Sequence, residues 1–146
     1  MNKLFTAIFF NFFSILLFAD SGVLTFSEVN PVIGDRSFIA RFGEKPTSKT
    51  DNLLRISTHL EYVESLLKQK DVSYLPESLQ KSRAHLIELL HQYRLNMVFP
   101  ENTAFPGVRV PCFIDNKGKI CAVGYLIEKT AGRDIAEKIN QIHQYH

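Results

Sequence analysis

The chain has 146 residues, 45% of them hydrophobic and 22% charged, with 7 Gly, 6 Pro, 2 Cys and no Trp. That suffices for one domain, not two ordinary ones, and it excludes collagen, low-complexity disorder and a cysteine-dense mini-scaffold. A formal net charge of +2 gives no basis for nucleic-acid binding or for holding an anionic membrane surface.

Residues 1–21 stand apart from the rest. Lys3 gives a basic start, and Leu4 to Ala19 is apolar except at Thr6, Asn11 and Ser14. Ala19-Asp20-Ser21 then puts small residues where a signal peptidase reads them, although the acidic Asp20 is unusual there. The run is shorter than the ~20 apolar residues of a spanning helix, and no basic stop-transfer cluster follows. The expectation is a signal peptide cleaved near Ser21, export to the periplasm or beyond, and no stable transmembrane span after cleavage.

Residues 22–49 read as an extended N-terminal segment. Val23 to Val29 alternates as a short strand would, and Asn30-Pro31 and Gly34-Asp35 punctuate it. Ser37 to Phe42 is open between a strand and a helical turn. Gly43 to Thr50 is a polar linker.

A single domain is expected over 50–146. From Asp51 to Lys70 the apolar positions Leu53, Ile56, Leu60, Val63 and Leu67 form one helical stripe, with Thr50 or Asp51 as cap. His59, Tyr62 and Leu66 form a second stripe on its flank, so this helix touches two neighbours. Pro76 suits the first turn of the next helix, whose stripe is Leu79, Leu86, Leu90, Tyr93 and Met97, with Arg83 in the gap and Pro100 as terminator. Two such helices joined by a short connection make an αα-hairpin with facing stripes.

Pro100, Pro106, Pro111 and Gly107 mark residues 98–111 as an ordered loop. Val108 to Ile114 then reads as a strand, Asp115-Asn116-Lys117-Gly118 as a turn, and Lys119 to Gly124 as the returning strand. Thr130 onward reads as a C-terminal helix, with Ile135, Ile139 and Ile142 on one face and Asp134 and Glu137 early in it. The predicted fold is therefore α+β: an αα-hairpin packed with a small β-hairpin and a C-terminal helix.

Cys112 and Cys121 flank the turn. In an exported protein an isolated pair is most simply a disulfide. A two-residue turn sets the cysteines directly opposite each other; a three-residue turn with Gly118 left-handed sends them to opposite faces. A third arrangement has Cys121 opening a helix, where a thiol pKa falls and the residue can act as a nucleophile. Disulfide, buried free thiols and a reactive cysteine all remain open at this stage.

One set of residues also carries a family likeness. Pro111-Cys112-Phe113-Ile114-Asp115, Gly118, Cys121-Ala122-Val123-Gly124-Tyr125-Leu126-Ile127 and Thr130-Ala131-Gly132-Arg133 resemble a signature of exported bacterial proteins of unassigned function. His59 to Glu64 and His143-Gln144-Tyr145 are similar to the same group, so the likeness covers about 50–145. It implies kinship, export and a further segment beyond residue 146, and it implies no activity.

Other chemistries find little support. His85, Glu88 and His91 fall opposite the core stripe and read as a solvated face rather than a metal site. His143 and His146 lie one turn apart near a terminus, which offers too few ligands. A Cys–His hydrolase would use Cys121 with His143 or His59 as base. Nucleotide-binding loops, zinc-hydrolase, serine-hydrolase, calcium-loop and haem motifs are absent from the sequence. No metal or cofactor is expected. The expected function is a non-catalytic interaction or structural module for a protein or envelope component. Phe105, Arg109, Lys117 and Lys119 are its candidate binding surface, on the loop and hairpin. The alternative is a thiol hydrolase built on Cys121 and His143.

Overall fold

The computed structural model describes residues 28–30, 32–105 and 109–146. The expected leader and residues 23–27 of the expected strand Val23–Val29 lie outside them; residues 28 and 29 are described and form no strand. Five helices run in order among the described residues: α1 Arg36–Phe42, α2 Asn52–Gln69, α3 Glu77–Asn96, α4 Ala122–Ala131 and α5 Arg133–His143.

The long hairpin forms where the two stripes meet. Asp51 caps α2 by accepting from Leu53 N at 2.9 Å. Pro76 sits just ahead of α3 with φ −52°, already suited to a helical start. Leu60, Leu90, Tyr93 and Phe99 form a buried cluster between the helices, and Ile56, Val63 and Leu67 pack against it. The stripes are buried only at their centres: Leu53 and Leu79, toward their ends, are exposed. Between 37 and 42, where strand and helix were both open, the chain is helical. α1 packs on α2, and Phe38 is buried. Arg55 of α2 donates to both carboxylate oxygens of Asp35, at 2.9 and 2.8 Å, which ties the start of α1 down.

The expected α+β class is overturned, because the described residues contain five helices and no strand. Only the tip of the predicted β-hairpin exists, as one isolated antiparallel bridge between Ile114 and Ile120. The turn takes the three-residue form, with Gly118 at φ +78° and Asp115 N donating to Lys119 O at 2.9 Å. Beyond the Cys121 N to Phe113 O bond of 2.8 Å, two competitors stop the ladder. Cys121 becomes the N-cap of α4, so the returning strand turns helical at once. On the other side Phe113 N donates to Gln144 O at 2.8 Å, Ile114 N to Asn140 Oδ1 at 2.9 Å, and Gln144 Nε2 to Ile114 O at 2.8 Å. The C-terminal end of the chain thus takes the Phe113 N–H that the ladder would pair with Cys121 O, and it covers the outer edge of Ile114.

The same register removes the expected disulfide. With Ile114 facing Ile120, Cys112 is not opposite Cys121, and both cysteines are free thiols. The C-terminal helix also differs from expectation. It begins at Ala122 and breaks at Gly132, whose φ of +99° interrupts the helical path between α4 and α5. Ala136, not the isoleucine face, is the buried contact of α5; Ile135 and Ile142 are exposed. A second cluster of Ile114, Ile120 and Ala136 shares Tyr125 with the first. No helix among the described residues is long and apolar enough to cross a membrane.

Candidate functional site

Where α2, α3 and the start of α4 converge, the chain lines a half-open cavity of about 540 Å³. Its apolar wall comes from Ile56 and Leu60 of α2, Tyr93 of α3, Phe99 after α3, and Ala122 at the start of α4. Polar groups enter at a few points: His59, Arg109, Cys112, Cys121, Glu28 and Tyr145. An apolar chamber of this size with a few placed polar groups has the form of small-molecule sites, which span roughly 300–1,000 Å³.

The placement of each polar group follows from local structure. The flanking stripe of α2 turns His59 inward. Burial lowers its pKa below the ordinary 6.5, with Asp35 opposing, so the ring is neutral at neutral pH. Its Nδ1 is buried and has no hydrogen-bond partner among the described residues. Cys121 is positioned by its N-cap role, its Sγ accepting from Gly124 N at 3.3 Å. A helix N-terminus ordinarily lowers a thiol pKa. Here burial outweighs the backbone N–H groups of Gly124, Val123 and Cys121, and the Cys121 pKa is raised. Cys112 is raised as well, by burial first and then by Asp115 and Cys121. Both thiols are therefore protonated at neutral pH.

The fold divides the sequence-derived candidates. Cys112, Cys121, Arg109 and His59 are brought together on the cavity wall. Phe105 packs edge-on against Tyr145, a lining residue, with ring centroids 5.3 Å apart. Lys117 and Lys119 instead pair with Glu101 at 3.4 and 2.6 Å, so the basic edge splits and only Arg109 reaches the cavity. His143 is not a lining residue; it ends α5 with its ring edge-on to His146, centroids 6.1 Å apart. Asp115 is a buried turn residue that accepts from the backbone N–H of Glu101, Lys117 and Lys119. No group of three or more His, Cys, Asp or Glu able to hold a metal occurs among the described residues.

Three participants escaped the sequence reading. Tyr93 belongs to the core stripe of α3, and its hydroxyl also donates to Ile120 O at 2.8 Å and braces the backbone beside Cys121. Asn52, at the start of α2 and outside the lining, accepts from Arg109. Glu64, buried at 5% exposure, accepts from Lys68 Nζ at 2.6 Å, His91 Nδ1 at 2.9 Å and Arg94 Nε at 3.2 Å. His91 thus belongs to the α2–α3 seam rather than to a solvated face. The spacing of Lys68 four residues after Glu64 was the only local signal of that network.

Comparison with protein-family models, with curated proteins and with solved structures finds no match.

Proposed function

We propose that the chain is an exported, non-catalytic binding module whose cavity holds a small, largely apolar molecule. Export is supported by the leader pattern of residues 1–21 and by the likeness of 50–145 to exported bacterial proteins. The observation that carries the binding reading is the cavity itself: apolar walls, a volume of about 540 Å³, and polar groups confined to a few positions. The chemistry of its polar groups favours holding over reacting. A cysteine hydrolase works through a thiolate activated by an adjacent base. Burial keeps Cys121 as a thiol and His59 as a neutral ring.

Fluorescence titration with the neutral apolar probe phenylnaphthylamine tests this reading. Saturable, one-to-one binding is expected, weakened by Ile56→Phe, which fills the cavity from α2. Absence of saturable binding, or equal binding by a folded Ile56→Phe variant, would overturn it.

A second reading keeps Cys121 as the nucleophile of a thiol hydrolase with His59 as its base. Their shared presence on the cavity wall favours it. The pH profile of Cys121 alkylation separates the two. A rate that climbs only above the ordinary thiol range supports the binding module. A plateau already reached near neutral pH supports the hydrolase.

A further inference from the structure

This inference rests on the cavity being a binding site, and it concerns the charged end of the occupant. Arg109 lines the cavity, is half-buried, and donates through its guanidinium to Asn52 Oδ1, a neutral amide. It forms no ion pair among the described residues. Two acids share the region, and neither makes an ion pair with Arg109. Asp35 is taken by Arg55, at 2.9 and 2.8 Å, and by Val29 N at 3.3 Å. Glu28 has its carboxylate against Gly34, where a Cβ atom would lie 2.9 Å from Glu28 Cδ. The carboxylate whose charge reaches Arg109 is thus already bonded to Arg55. Burial, and then the neighbouring Arg55, destabilise the Arg109 charge, and Asp35 offsets only part of that.

A half-buried cation on an apolar wall is costly until an anion meets it. A guanidinium fork matches a carboxylate with two parallel hydrogen bonds. We propose that the cavity takes a single-chain carboxylate amphiphile, of the fatty-acid class, with its carboxylate on Arg109 and its hydrocarbon chain against Ile56, Leu60 and Phe99. The neutral thiols of Cys112 and Cys121 add soft, weakly polar surface that does not compete for the head group.

Displacement of bound phenylnaphthylamine by decanoate and by decanol tests this on the full chain. The two competitors share a hydrocarbon chain and differ in the head group. Decanoate is expected to displace the probe at a concentration about ten- to a hundred-fold lower than decanol, the span of a charge-assisted hydrogen bond. That ratio should fall toward one in Arg109→Gln and only part of the way in Arg109→Lys, which keeps the charge and loses the fork, with circular dichroism confirming that both variants fold. A ratio near one in the unmodified chain, or an unchanged ratio in Arg109→Gln, overturns the assignment of the head group while leaving the cavity reading intact. Failure of the probe itself to bind removes both.

Discussion

The Tyr93 hydroxyl donates to the Ile120 carbonyl at 2.8 Å, joining the last turn of α3 to the residue before Cys121. Tyr93 is 4% exposed, and its ring packs against Phe99 and Tyr125 with centroids 5.5 and 5.2 Å away. Burial pushes its phenol pKa up, with Cys121 adding to the shift, so the proton stays on the donor. Tyr93→Phe should leave a buried carbonyl without this partner and cost about 1–2 kcal/mol, read as a lower urea midpoint. It should also speed alkylation of Cys121, because the brace beside it is gone. An unchanged midpoint together with an unchanged alkylation rate would contradict this role.

Gly124 gives a prediction opposite in sign to helix propensity. A glycine inside an exposed stretch of helix ordinarily gains roughly 0.5–1 kcal/mol when replaced by alanine. At Gly124 an added Cβ would lie 2.5 Å from Ile120 Cγ1, 2.8 Å from Ile120 Cδ1 and 3.1 Å from Phe113 Cζ. Ile120 is buried and has little room to withdraw. Gly124→Ala should therefore destabilise by about 1–3 kcal/mol. Thermal midpoints of this variant and the unmodified chain check it; a raised midpoint would show that the contact relaxes freely.

Glu64 anchors the seam between α2 and α3. Burial raises its carboxyl pKa, but the hydrogen bonds from Lys68, His91 and Arg94 outweigh burial and leave it below the ordinary 4.5. The unfolded carboxyl titrates at the higher value, so the stabilisation is complete above about pH 4.5 and is lost as pH falls through the lowered folded value. Glu64→Ala should cost about 1–3 kcal/mol at neutral pH, because Arg94 and His91 lose their acceptor in a partly buried seam. The variant should also lose stability less steeply below about pH 4.5. Urea titrations across that range decide the point, and parallel acid slopes would contradict it.

His59 titrates in a different window. Burial lowers its pKa below 6.5, so on unfolding in mild acid the ring takes up a proton that the folded chain refuses. Its contribution is intact above about pH 6.5 and declines as pH drops toward the lowered folded value. Between about pH 7.5 and about pH 5.5, the unmodified chain should lose more stability than His59→Gln. Equal losses in the two proteins would mean that His59 is not held neutral.

The helices of the αα-hairpin are legible because their evidence is local. Leu60 and Leu90 repeat with their neighbours at helical spacing, and both are buried. The region from 108 to 124 is not legible in the same way. Asp115 to Gly118 encodes a tight turn, and that turn forms, but a turn does not state what its flanks do next. Competition decides that: the N-cap at Cys121 draws one flank into α4, and Asn140 and Gln144, far away in sequence, occupy the other. The site divides likewise. Cys112, Cys121, His59 and Arg109 stand out by residue type, whereas the roles of Tyr93 and Asn52 arise from contacts across the fold. The direction of the Cys121 pKa was hidden for the same reason, since the helix terminus is local and the burial that outweighs it is not.

The central claim is that the chamber beside the two cysteines holds an apolar ligand. Mass-spectrometric alkylation rates, measured at each cysteine with and without saturating phenylnaphthylamine, test it most directly. The cavity reading predicts that the bound probe slows labelling of Cys121 severalfold and slows Cys112 as well, while global stability rises. Unchanged labelling of Cys121 at every probe concentration would contradict it.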